Sequence, residues 1–278
     1  MNYRSILVHV DSSERSKARI ALAKQLAEAY EAHLTGVFVA PSANIALVGP
    51  YPAAAEVYYE IHAEIERDAE AARKVFEQQT LTLRERCEWQ QHINQPTDAL
   101  SLAARYHDLL ILGQTEPGKP VNGLPGNLTE TVVMGSGRPV LAVPYTGEIG
   151  ALTRHALVAW NGSREATRAL TDALPLLKRA ERVTVLTINP KIGPDGHGEL
   201  PGADIALYLA RHGIKVEVAR ETAFSQDLGE CLLNWIADHG VDLLVMGLYG
   251  HSRLRELALG GASRTVLQSM TVPVLMSH

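Results

Sequence analysis

Short apolar runs recur along the chain, each entered and left through polar or glycine positions, and between them apolar residues return at a helical period. In the second half the runs near 156–160, 182–188, 214–219, 241–246 and 272–277 read as strands. The segments near 164–180, 203–212, 227–239 and 261–270 read as helices. Runs with no polar face predict strands buried on both sides, as in a parallel sheet covered by helices through right-handed crossovers. Gly213 and Gly240 stand where helix C-caps belong, and Pro175, after Leu174, predicts a kink or break in the first helix of this half. The first half repeats the plan with a longer insert, in which Glu56 to Arg86 predicts a charged, solvated helix over one edge. Segments 41–52 and 189–202 predict loops after the second strand of each half.

The two halves match each other residue by residue. Ile6-Leu-Val-His-Val-Asp11-Ser-Ser-Glu14 recurs as Ala156-Leu-Val-Ala-Trp-Asn161-Gly-Ser-Arg164. Asp108-Leu-Leu-Ile-Leu-Gly113 recurs as Asp242-Leu-Leu-Val-Met-Gly247, and Arg138-Pro-Val-Leu-Ala as Val272-Pro-Val-Leu-Met. Three blocks in one order mean a tandem duplication of whole domains, 1–148 and 149–278, with the seam at Tyr145–Gly150. The expected fold class is α/β, two tandem five-stranded parallel sheets flanked by helices.

Composition narrows the functional classes. A net charge of −5 with no basic tract argues against a nucleic-acid surface. Two cysteines, Cys87 and Cys231, make no disulfide framework and fit a reducing compartment. No stretch approaches the roughly 18 apolar residues of a membrane span, and the N-terminal run is too short for a signal peptide. A cytoplasmic location is the expectation by elimination.

The candidate chemistry lies in one loop. Val241-Asp-Leu-Leu-Val-Met246 enters Gly247-Leu-Tyr-Gly250, and nine residues later Gly260-Gly261-Ala262-Ser263 opens a helix. Unpaired N–H groups and the positive dipole end at a helix N-terminus favour a phosphate, and glycines let it approach the backbone. A dinucleotide fingerprint would follow the first strand, but those turns read Asp11-Ser-Ser-Glu and Asn161-Gly-Ser-Arg. Gly113-Gln-Thr-Glu-Pro-Gly118-Lys119-Pro120 almost spells a P-loop; Pro120 replaces the magnesium-holding hydroxyl and Glu116 would face the phosphate, so the match reads as accidental.

With the repeated strand-then-Asp/Asn-x-Ser entry and the closing V-P-V-L, this G-x2-G-x9-G loop resembles the universal stress protein family in its tandem form, across essentially the whole chain. The resemblance implies the adenine-nucleotide α-hydrolase-like fold, binding of ATP or ADP with or without Mg, and domains paired through their last strands, here within one chain, with a homodimer also allowed. It places Ala159 and Asn161 at adenine and ribose, Ile188 against the base, and Met246, Gly247 and Gly250 under the ribose and first phosphates. Gly260, Gly261 and Ala262 would cradle the distal phosphates, with Ser263 one turn on and Arg253 in reach of them. Two departures are Asn161 where nucleotide binders carry Asp, and Gly261 where they carry Ser or Thr, a hydroxyl donor worth roughly 0.5–1.5 kcal/mol.

In the first half Glu116 takes the place of Gly250 and Asn127 that of Gly261, although Asp11 keeps the acidic strand-one residue. Like charges 4 Å apart repel by about 4 kcal/mol at an effective dielectric near 20, so this half is expected to bind no nucleotide phosphate. The eleven histidines suggest no zinc spacing, and Asp195-Gly-His197-Gly-Glu199 reads as a solvated loop. His9 reads as a packed or capped histidine or a pocket wall, and Trp160 as a core or interface residue or a platform for a base. No nucleophile–base pair stands out, so hydrolysis should be slow at most. The expected function is a stress-response protein that binds an adenine nucleotide in its second domain and regulates an unidentified protein partner. The alternative is a pseudo-dimeric scaffold independent of nucleotide, for a protein or another small ligand.

Overall fold

The apolar runs become buried parallel strands, and each polar-faced segment becomes a helix laid across them. A computed structural model describes residues 2–41, 53–116, 124–147, 149–150, 152–190, 201–224, 227–248 and 261–278. They fall into two compact units, Tyr3–Ser136 and Gly137–His278, the latter with Asn2.

The first unit holds β1 (Ser5–His9), α1 (Glu14–Tyr30), β2 (His33–Ala40), α2 (Ala53–Thr80), a 3-10 turn (Leu81–Arg86), β3 (Cys87–Ile93), α3 (Pro96–Ala104), β4 (Leu109–Gly113) and α4 (Leu128–Ser136). Its strands run parallel in the order β3-β2-β1-β4. The second unit holds β5 (Val140–Val143), β6 (His155–Ala159), α5 (Arg164–Leu177), β7 (Arg182–Ile188), α6 (Ala203–Arg211), β8 (Val216–Glu221), α7 (Leu228–His239), β9 (Leu243–Gly247), α8 (Ala262–Ser269) and β10 (Val274–Ser277). Here the order is β5-β10-β9-β6-β7-β8, parallel except that β5, closing the first sequence repeat, pairs antiparallel with β10, which closes the second. The packing therefore divides the chain just before β5, whereas the sequence repeat turns over just after it.

The α/β class and the helix-covered parallel sheet are as the pattern predicts. The central strands are shut off on both faces: Ile6, Leu7, Val8, Leu109, Leu110, Leu243, Leu244 and Val245 are fully buried. Gly240 caps α7 in the left-handed conformation, and Gly213 takes a positive φ just past α6. Of the kink or break expected at Pro175, the break does not occur: α5 runs on to Leu177. A proline so near the C-terminus removes a single N–H donor from the ladder, and Lys178 N–H still reaches the carbonyl of Leu174 at 3.0 Å.

The recurring aspartates are structural. Asp108 accepts the N–H groups of Arg4 (2.7 Å) and Ser5 (3.1 Å), and Asp242 those of Arg154 and His155 (3.0 Å each). Each carboxylate ties the start of the neighbouring strand into register. That role accounts for the repeated Asp-Leu-Leu block without any catalytic duty.

Candidate functional site

The crevice of the second unit forms where β6, β7 and β9 end side by side. Pairing of Val158 with Val245 sets Ala159, the last residue of β6, next to Met246. Ile188 ends β7, and Gly247 ends β9. Ala159, Ile188 and Gly247 are half-buried, while Met246 is only 6% exposed. Small and apolar side chains thus line the strand ends of a parallel sheet, where α/β folds take their ligands.

Asn161 stands exposed in the turn beyond β6. Its Oδ1 accepts the Ser163 N–H at 3.0 Å, and the Ser163 hydroxyl accepts the Ala166 N–H at 3.1 Å as the N-cap of α5. The side-chain oxygen thus shapes the turn, which leaves the amide NH2 to meet a ligand.

Gly247 is fixed by packing. A Cβ there would lie 2.5 Å from the Ala166 nitrogen and 2.6 Å from the Glu165 carbonyl carbon, both backbone atoms of the first turn of α5. The missing side chain lets that helix start directly against the strand end. Gly247→Ala is expected to cost about 1–3 kcal/mol, the usual range for overpacking, read as a lower urea midpoint.

Gly261 precedes α8, and its carbonyl accepts the N–H groups of Arg264 (2.9 Å) and Thr265 (3.2 Å). As the N-cap of α8 it offers no side-chain acceptor to the first turn. Ala262 is half-buried and Ser263 is 4% exposed, which places the serine hydroxyl inside the packed side of the turn. Gly250, Arg253 and Gly260 lie outside the described residues, as do Lys119, Pro120 and His197. The structure thus gathers Ala159, Asn161, Ile188, Met246 and Gly247 at the strand ends and begins a helix at Gly261–Ser263.

The matching place in the first unit is filled by the protein itself. Asp11 is 5% exposed, and its carboxylate accepts hydrogen bonds from Arg19 Nη2, the Ser13 hydroxyl and the Ser13 N–H (2.9 Å). Arg19 Nε also donates to the carbonyl of His9 at 3.1 Å. Its guanidinium overlies Gly113 so closely that a Cβ there would be 2.1 Å from Nη1. Burial raises the Asp11 pKa, but Arg19, His9 and the Ser13 donors outweigh it and hold the carboxyl at about 2. His9, aligned with Ala159, is a packed histidine, 2% exposed, with Nδ1 3.8 Å from Asp11 Oδ2 and Nε2 buried without a hydrogen-bond partner.

Besides Glu116 in the loop after β4, this half thus carries a strand-end carboxylate already occupied by an internal cation. The sequence signal for it was a mismatch: Arg19 sits among Ile20, Ala23 and Ala27 on the buried face of α1, where the second repeat has Ala169. Among the described residues no group of three His, Cys, Asp or Glu could hold a metal, and no helix is long and apolar enough to cross a membrane.

Comparison with known proteins agrees with this architecture. The model of the universal stress protein family matches the chain twice, over residues 2–144 and 153–278. A universal stress protein of Synechocystis sp. is 27% identical over 169 residues, which is 60% of this chain and 57% of that protein, so the chain spans little more than half the relative's length. The crystal structure of a universal stress protein from Archaeoglobus fulgidus superposes with a TM-score of 0.73 at 19% identity, covering 98% of this chain and 95% of the other. A functionally unknown protein from Pseudomonas aeruginosa PAO1 gives 0.55 at 14% identity over 99% and 92%. At these identities the solved structures speak for the fold alone.

Proposed function

The chain belongs to the universal stress protein family, and from that premise we propose that it is a regulatory stress-response protein holding one adenine nucleotide, ATP or ADP, in its second domain. The observation that carries this reading is the contrast between two matched strand-end crevices. Ala159, Ile188 and Met246 leave an apolar niche beside an open turn, whereas His9, Arg19 and Asp11 fill the equivalent place. An adenine fits the apolar niche beside Gly247, the Asn161 amide can reach a ribose hydroxyl, and the glycines at 250, 260 and 261 would let phosphates approach backbone N–H groups. Magnesium, if carried, would come with the phosphates rather than on a protein ligand set. Binding at the 247–263 loop would shift the chain between partner-binding states. Among the described residues no side chain stands as a general base beside the crevice, and the reading is of a switch more than a hydrolase.

The test uses the whole chain. Denaturing the purified protein and assaying the supernatant should release adenine nucleotide, and equilibrium dialysis with ATP should saturate at one equivalent per chain. Gly250→Glu, which copies Glu116 into the second half, should abolish both signals. A second reading, a scaffold independent of nucleotide, is favoured by the engaged Oδ1 of Asn161 and by a glycine where relatives would offer a hydroxyl. Equal nucleotide content in the parent and Gly250→Glu would defeat the phosphate-loop reading, and absence of nucleotide from both would decide for the scaffold.

A further inference from the structure

The two repeats treat the same pair of helices differently. In the first unit α1 and α2 pack together, and Phe76 of α2 presses on β2 at Gly36, where a Cβ would come within 2.8 Å of the ring. In the second unit α6 packs on β8 instead. Gly202 makes this possible: it takes φ +87°, and a Cβ there would meet Val218 Cγ1 at 2.7 Å, so the start of α6 lies tight on the sheet edge. The space left between α5 and α6 is a cleft of about 330 Å³. Trp160 lines it, half-buried, where the first repeat has the fully buried Val10. The cleft remains open between the two helices, and its wall carries an aromatic side chain.

We propose that this cleft is a second ligand site, separate from the nucleotide crevice, and that it takes a planar aromatic cation. The volume falls at the lower end of small-molecule pockets, enough for two or three fused rings. Trp160 and Tyr208 supply aromatic surface, and Leu170 and Ile205 supply apolar contact. Asp204, exposed on the first turn of α6, is the carboxylate of the lining, and among the described residues no basic side chain lines the cleft. Ring faces and a carboxylate both draw a cation, and the rings favour a flat one. An anion of the same shape meets the carboxylate without a counter-charge. The cleft opens between α5 and α6, and Trp160 and Gly162, which flank Asn161, put it beside the proposed nucleotide crevice, so competition with ATP is what distinguishes the two.

Proflavine, a three-ring planar cation, serves as the probe, with anthracene-9-carboxylate as its anionic counterpart of similar shape. Fluorescence anisotropy of the dye titrated with the full chain should show one saturable site. Trp160→Ala should weaken it about tenfold, within the span of a desolvated cation–π contact, and Asp204→Asn about threefold, as for an exposed charge pair. Thr171, exposed on α5 and lining the cleft, offers a variant that leaves the core alone: Thr171→Trp should fill the space and abolish binding. ATP should not displace the dye. Absence of saturable binding overturns the proposal. So does binding that survives both Trp160→Ala and Thr171→Trp, or equal affinity for the carboxylate analogue. Competitive displacement by ATP would make the cleft part of the nucleotide site and would equally defeat a separate one. Failure of the nucleotide assay with intact dye binding would sink the proposed function and leave this inference standing.

Discussion

Arg19→Ala is expected to destabilise the first unit by about 3–5 kcal/mol, the largest effect of any single substitution considered for this chain. The cost does not come from the surface electrostatics of an ion pair, which is worth little when exposed. Arg19 and Asp11 are both about 5% exposed, and removing the guanidinium leaves a carboxylate in the interior with only the Ser13 hydroxyl and N–H as donors. It also removes the Nε donor that the His9 carbonyl accepts at 3.1 Å. The second repeat indicates the remedy, because it carries Asn161 and Ala169 at these two positions and neither is charged. The double variant Asp11→Asn/Arg19→Ala should therefore recover most of the loss, and a double-mutant cycle of urea midpoints should give a large favourable coupling between the two sites. Additive losses, or a single Arg19→Ala loss below about 1 kcal/mol, would mean that water or a neighbouring group already solvates Asp11, in conflict with its burial. The same pair bears on function, since a buried carboxylate already accepting from Arg19 and Ser13 has little left to offer a ribose.

The architecture was legible because it depends on pattern. Runs such as Ile6–Val8 and Leu243–Val245 have one physical use, a strand buried on both faces, and the duplication doubled every such signal. Gly240 was legible for a similar local reason, the need for a left-handed residue at a helix end. What a residue touches across the fold was not. Gly247 reads in sequence as room for a phosphate, whereas in the structure its missing Cβ is demanded by the backbone of α5. Asn161 reads as a ribose ligand, and its oxygen turns out to close the local turn. Asp11 reads as the surviving half of a binding site, and only the packing of α1 on β1 shows that an arginine eight residues later has taken it. In each case the residue type was right for either role, and the choice lay in a contact that spacing does not encode. Trp160 belongs to the same group: its environment follows from where α6 comes to rest, a distance set by Gly202 against Val218.

Acid should unfold the first unit earlier than its carboxylates alone would dictate, because of His9. Burial strips the imidazolium of water and lowers its pKa to about 4 from the ordinary 6.5; the Asp11 charge offsets part of this and Arg19 adds to it. The folded state therefore resists a proton that the unfolded chain accepts. Above pH 6.5 neither form is protonated and His9 contributes nothing to the pH dependence. As pH falls from 6.5 to 4 the unfolded chain takes up the proton and the folded chain does not, so stability drops with pH through that window by about 3 kcal/mol. Asp11 acts in a separate window: its lowered pKa gives stability that is present above pH 3.8 and lost as pH falls to about 2. His155 in the second unit is shifted in the same direction as His9, mainly by burial, and adds a smaller slope of the same sign. Urea midpoints at pH 7 and pH 4.5 should show the drop in the parent chain and a much shallower one in His9→Gln, which keeps a polar side chain but cannot take up the proton. A parent and variant with equal slopes would show that His9 is not held neutral, and the closed packing of that crevice would then have to be abandoned.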